Sequence, residues 1–135
     1  MKHIRLFEQF LNESQKQEAA IEKVEALPKG SLFDDAKRID GIFKISNRPW
    51  SEVTQAWEEN EDGAQTKTIN PKDIHITQRN IQSSKVREMI LREDDVKTIN
   101  VIEFPEGPVI YDGHHRLTKA WALGETKLKV NYLKL

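Results

Sequence analysis

The stretch PVIYDGHHRLTKAWALG, residues 108–124, decides how this chain is read. Pro108–Tyr111 is a short apolar run of strand character. Leu117, Ala120 and Trp121 then share one helical face, and Gly124 supplies a stop. Asp112-Gly113-His114-His115-Arg116 falls at the joint, so two imidazoles and a guanidinium meet at a strand-to-helix turn. The first N–H groups of a helix have no intrahelical acceptor, and the dipole there favours anions. Residue types and position together point to phosphate.

Working outward, Ile99–Phe104 reads as a strand of β-branched residues, and Glu106-Gly107 turns it into Pro108–Tyr111 as a hairpin. Downstream, Lys127–Leu133 closes as a strand in which Leu128, Val130 and Tyr132 alternate with Lys127, Lys129 and Asn131. Upstream, Ser83 or Ser84 caps a helix through Arg92 with Val86, Met89 and Ile90 inward. Thr66–Ile69 and Asp73–Ile76 are short extended pieces. Pro49-Trp50-Ser51-Glu52 starts a helix that runs to about Asn60, followed by a polar loop. Residues 3–27 read as helix in two pieces, one with Ile4, Phe7, Phe10 and Leu11 as its stripe and one with Ile21, Val24 and Leu27. Asn12 to Gln15 is the weak point between them. Residues 31–48 are ambiguous: Leu32, Ala36, Ile39 and Phe43 fit a helix, but Gly41 weakens it.

A chain of 135 residues is one domain with room for an appendage. Hydrophobic residues make up 37% and charged residues 32%, which suits a globular protein with a modest core. No apolar run approaches the roughly 20 residues that span a bilayer, so no membrane is expected. There are no cysteines, which excludes disulfides, thiolate catalysis and cysteine-held zinc. Residues 1–65 carry 9 basic and 13 acidic residues (net −4), whereas residues 66–135 carry 12 and 9 (net +3). The half with DGHHR is therefore mildly basic. That fits a phosphate-bearing ligand but not a nucleic-acid-coating surface.

The order strand, Thr77-Gln78 element, helix, hairpin, DGHHR helix, strand resembles the ParB/sulfiredoxin superfamily over residues 66–135. Ile74-His75-Ile76-Thr77-Gln78 and Lys85-Val86 stand where that family has its other signatures. The closest likeness is to the small phage and bacterial ParB-like nuclease domains. The resemblance implies an α+β fold, a small mixed sheet flanked by helices. It implies three regions: residues 1–13, a mainly helical extension over 14–65, and the domain proper over 66–135.

The resemblance also implies roles. In sulfiredoxin-like members the turn reads Gly-Gly-Cys-His-Arg, and its last two residues, His115 and Arg116 here, hold ATP phosphates. Lys85 stands at the family's nucleotide-contacting lysine. Gly113 and Gln78 complete the implied binding set for an ATP- or CTP-type nucleotide or a nucleic-acid phosphate, with magnesium as a companion. His114 replaces the cysteine, so sulfinic-acid reduction is ruled out. The partition proteins carry a helix-turn-helix after this domain, and none lies within these residues. A free-serine kinase of the superfamily uses a glutamate base in the upstream segment, where Gln78 stands. A neutral amide cannot accept a proton from a hydroxyl, so Asp112, Glu88 or Glu103 would have to substitute.

The residues themselves leave alternatives open. Asp112 can coordinate a metal, orient an imidazole or cap the helix. On a helix His114 and His115 point about 100° apart, so both do not serve one small ligand. Asp112, His114 and His115 are the candidate catalytic residues for phosphodiester hydrolysis or phosphoryl transfer, with His115 favoured for phosphate. A zinc site needs further ligands, and only His75 is at hand. Gln78 contacts a ligand or fixes its loop. Tyr111, Trp57 and Trp121 are expected to pack. A binding switch without turnover, or an interaction protein with a vestigial pocket, fits the same residues.

Met1–Glu13, MKHIRLFEQFLNE, is short, amphipathic and cationic at its start. It resembles capsid-targeting peptides of internal head proteins in large tailed phages, which end at a Leu/Ile-x-Glu site for the prohead protease. Leu11-Asn12-Glu13 before Ser14 matches that form. The resemblance implies a head scaffold and prohead protease as partners, a virion-interior and then host-cytoplasm location, and a product that begins at Ser14. A helix that packs on the domain or mediates self-association is the plain alternative.

Overall fold

The computed structural model describes residues 2–92 and 98–135, with side chains from Asn12 onward. The fold is mixed α+β, as expected, with four α-helices and two small sheets among the described residues. Helix α1 is Lys2–Glu25, strand β1 Ala36–Arg38, helix α2 Trp50–Asn60 and strand β2 Gln65–Ile69. Strand β3 is Asn80–Gln82, helix α3 Ser83–Arg92, strand β4 Ile99–Phe104, strand β5 Gly107–Asp112, helix α4 His114–Ala122 and strand β6 Leu128–Lys134.

The main sheet has the order β2-β6-β4-β5. Strands β4 and β6 run parallel, and the other pairs are antiparallel. Helix α4 supplies the crossover between the hairpin and β6, which is what lets β6 lie parallel to β4. Central strand β4 buries Ile99, Val101, Ile102 and Phe104. A strand reads as a nearly continuous apolar run when both sheet faces are covered. On one face, Ile99, Val101, Ile110, Leu128 and Val130 join Val86, Ile90, Leu117 and Ala120 of the helices. On the other, Ile102, Phe104, Val109 and Leu133 meet Val53 and Trp57 of α2. Each fully buried aliphatic side chain contributes about 1.5–3 kcal/mol. Edge strand β2 is polar and almost wholly exposed, with Lys67 at its centre, a composition that blunts an open edge.

Several expectations need correction. Helix α1 runs unbroken through Asn12–Gln15, so there is no hinge at the expected weak point. The Ile4, Phe7, Phe10 and Leu11 stripe lies outside the described side chains. Within the described part of α1 the core begins at Ala20 and Val24. Residues 31–48 are not a helix. They carry β1, which pairs antiparallel with the equally short β3, and Ala36, Ile39 and Phe43 are buried while Leu32 is fully exposed. Val24, Leu27, Ile39 and Phe43 pack in one core with Ile74, Ile99 and Leu117. Asp73 ends a 3-10 turn rather than starting a strand, and His75 and Ile76 make single bridges to Val109 and Ile45.

Helix α4 ends as Gly124 implied. Gly124, at φ +73°, lets its own N–H reach Trp121 O and Glu125 N–H reach Ala120 O, the two bonds of a Schellman cap. Its start depends on Gly113, at φ +113°. A Cβ there would lie 3.0–3.3 Å from Cγ1, Cα and Cβ of Ile99, in a central strand that cannot yield. Gly113→Ala should cost roughly 1–3 kcal/mol from conformation alone, and more from the clash. Urea denaturation checks this, and a loss within 0.5 kcal/mol, the usual range for inert surface changes, would contradict it.

Candidate functional site

The β5–α4 turn opens on a cavity of about 690 Å³ between α3 and α4. That is within the ordinary range for a small-molecule site. The cavity is lined by Lys85, Glu88, Met89 and Arg92 of α3, by Gln78 and Thr98, and by Asp112, Gly113, His114, His115, Arg116 and Lys119 at the turn and α4. Four cations face two carboxylates, so the lining is net positive. The first intrahelical bond of α4 runs from Leu117 N–H to Gly113 O. The N–H groups before it belong to the part of a helix that favours anions.

The two imidazoles diverge, as their adjacency on a helix dictates. His114 is buried, and its Nε2 accepts the backbone N–H of Thr77 at 3.0 Å and of Gln78 at 3.1 Å. Nε2 is thus an acceptor, so Nδ1 carries the proton. The Thr77 hydroxyl, 3.2 Å from the same nitrogen, donates to Ile110 O at 3.1 Å. Burial, then the neighbouring His115, pulls the His114 pKa down to about 4. A ring spent on two amides and held neutral is not a general acid or base, so the catalytic role expected for His114 gives way to a structural one.

His115 turns to the other end of the same segment. Its Nε2 accepts Gln82 N–H at 3.1 Å, which leaves Nδ1 as the proton-bearing atom of the neutral ring. Burial first, then the charge of Lys85, lowers its pKa, and Asp35 opposes them. His115 therefore offers a neutral donor rather than a cation.

Gln78 lines the cavity, but its Nε2 donates to Asn80 O at 2.7 Å and so fixes the loop. Asp112 is exposed at the rim. It does not cap α4, because the capping position is Gly113 and no side chain bonds there. Glu88 pairs with Arg92 at 2.5 Å. Glu103 is not at the cavity; it accepts the Tyr132 hydroxyl at 2.9 Å, and burial followed by this bond raises Tyr132 to about 12. His75 bonds the Pro108 carbonyl and does not reach the turn. Among the described residues no three His, Asp or Glu side chains converge on a metal. Among the described residues, then, Asp112 belongs to no such group.

Glu13 and Ser14 lie inside continuous α1, Glu13 exposed and Ser14 half-buried. Trp57 and Tyr111 stack on one another at 5.4 Å, and Trp50 stacks on Tyr111 at 5.8 Å, so Tyr111 is packed as expected. No helix among the described residues is long and apolar enough to cross a membrane.

Sequence reading missed Arg92, Lys119 and Asp35. Helical spacing carried a signal for the first two, since Arg92 is seven residues after Lys85 and Lys119 three after Arg116. Asp35 carried none. It lies about fifty residues from α3, yet its Oδ1 accepts Ser83 Oγ at 2.6 Å and Ser84 N–H at 2.9 Å. The expected serine cap is thus reversed, for Ser83 and Ser84 donate to a carboxylate that caps α3 from outside. No family model, curated protein or solved structure matches the chain.

The His114 pKa predicts a pH dependence. The folded state keeps the ring neutral to about pH 4, whereas an unfolded imidazole protonates near pH 6.5. The contribution is complete above pH 6.5 and is lost as pH falls from there through 4. Between pH 7.5 and 4.5 the parent should lose roughly 2–3 kcal/mol more than His114→Gln. Urea melts across that window check this, and parallel pH profiles would contradict it.

Proposed function

We propose that the protein binds a nucleotide or nucleic-acid phosphate in the α3–α4 cavity, in the manner of the ParB/sulfiredoxin-like proteins its DGHHR turn resembles. The observation that carries this reading is the convergence of Lys85, His115 and Arg116, from two helices, on one net-positive cavity at a helix start. Arg116 would fork onto two phosphate oxygens and Lys85 would supply a point charge. His115 Nδ1–H would add a neutral hydrogen bond, and the first N–H groups of α4 would complete the cradle.

A nuclease or phosphotransferase reaction is the extension of this reading. Such a reaction needs positioning and charge stabilisation together with a base or a metal. Magnesium, if it takes part, would be carried by the phosphate. The reading without turnover is favoured by specific bonds: His114 and His115 each give Nε2 to a backbone amide, and Glu88 is paired with Arg92. Asp112 is the carboxylate of the turn that stands clear of such bonds. Phosphate capture without turnover is thus the function these bonds favour.

Isothermal titration with ATP, CTP and short oligonucleotides, with and without magnesium, tests the proposal. Arg116→Ala should weaken binding at least about tenfold, and Lys85→Ala by about threefold to tenfold, in line with loss of charge-assisted bonds. Equal affinity in parent and Arg116→Ala would overturn it.

A further inference from the structure

We propose that Asp35 is the positioning residue of this anion site, a role that rests on the phosphate-binding reading above. Asp35 does not line the cavity. It acts through the turn that joins β3 to α3. Its main-chain oxygen accepts Ser83 N–H at 2.9 Å and Ser83 Oγ at 3.1 Å. Its carboxylate takes Ser83 Oγ, Ser84 N–H and Ser84 Oγ. One residue thus holds both serines by backbone and side chain together.

The two ends of that turn serve two of the proposed phosphate donors, the Lys85 ammonium and the neutral His115 ring. On its C-terminal side the next residue is Lys85. On its N-terminal side is Gln82, whose N–H is the bond that orients the His115 ring. Gln82 is also the register partner of Ala36, the residue after Asp35. Release of the Asp35 clasp therefore loosens Lys85 and His115 at once. Arg116, on α4, keeps its place. The bonds to Ser83, Ser84 and these donors hold the Asp35 carboxyl below its ordinary range, so it stays an anion and an acceptor at neutral pH.

The role makes a distinction that a plain helix cap does not. An asparagine at position 35 can keep the geometry: its amide oxygen accepts Ser84 N–H and Ser83 Oγ, and its amide nitrogen donates to Ser84 Oγ. It removes a negative charge from beside a phosphate site. An alanine removes the geometry as well.

The experiment measures ATP and inorganic phosphate affinity by titration calorimetry, with thermal stability of the free protein in parallel, for the parent, Asp35→Asn, Asp35→Ala, Ser84→Ala and Arg116→Ala. Asp35→Ala should bind ATP about tenfold more weakly than the parent, equivalent to about 1.4 kcal/mol. Asp35→Asn should bind within about twofold of the parent or more tightly, although it too loses some thermal stability. Ser84→Ala, which spares the fold if Asp35→Ala does not, should weaken ATP by about threefold. Parent-like affinity in Asp35→Ala or Ser84→Ala, with Arg116→Ala impaired, would overturn the positioning role and leave the phosphate reading intact. A parent that binds neither probe overturns both. Asp35→Asn as weak as Asp35→Ala would show that charge, not geometry, is what Asp35 supplies, and would also overturn it.

Discussion

The site is built on a buried, uncharged imidazole. His114 Nε2 takes two successive backbone N–H groups, those of Thr77 and Gln78, in a part of the fold that water does not reach freely. A buried amide left without an acceptor costs about 1–3 kcal/mol, and here one nitrogen satisfies two. The segment from Thr77 to Gln82 has only the three-residue strand β3 as regular structure. His114 fixes one end and His115 the other, through Gln82. The paired histidines of the turn are thus clamps on the segment that leads into α3, and the cavity exists because that segment is held against α4.

This division of labour assigns the chemistry. The imidazoles supply architecture, with His115 keeping one nitrogen for a ligand. The cations come from the helices: Lys85 and Arg92 from α3, Arg116 and Lys119 from α4. On the reading proposed above, a multiply charged anion would meet separate donors from two helices. That arrangement favours recognition of a phosphate group over a neutral ligand of similar size. Among the described residues, Glu88 is paired with Arg92 at the cavity and Glu103 with Tyr132 away from it, while Asp112 stands at the rim.

Where the sequence was legible, a period or a backbone requirement made it so. Helix α4, the β4–β5 hairpin and β6 announced themselves by spacing and by Gly113 and Gly124. The same spacing showed that His114 and His115 must point apart, and they do. What stayed hidden is tertiary. Strands β1 and β3 are three residues each, too short for any pattern, and pair with one another beside the Asp35–Ser83 bonds. Their sequences, Ala-Lys-Arg and Asn-Ile-Gln, have no strand signature. The likeness of the turn favoured His115 over His114 for phosphate, but no spacing in the sequence showed that His114 would be the buried ring. Helix α1 was expected to break at polar residues, but polar side chains on an exposed face do not interrupt a helix.

The central claim is that a phosphate is seated by α3 and α4 around the clamped turn. An NMR titration of the ¹⁵N-labelled protein with ATP tests it most directly, because each amide reports its own position. Phosphate binding there should give saturable shifts concentrated at Ser84–Lys85 and at Gly113–Leu117, with the His114 ring remaining the Nδ1–H tautomer throughout. Shifts that gather on α2 or the β2 edge and leave those two turns unmoved would contradict it.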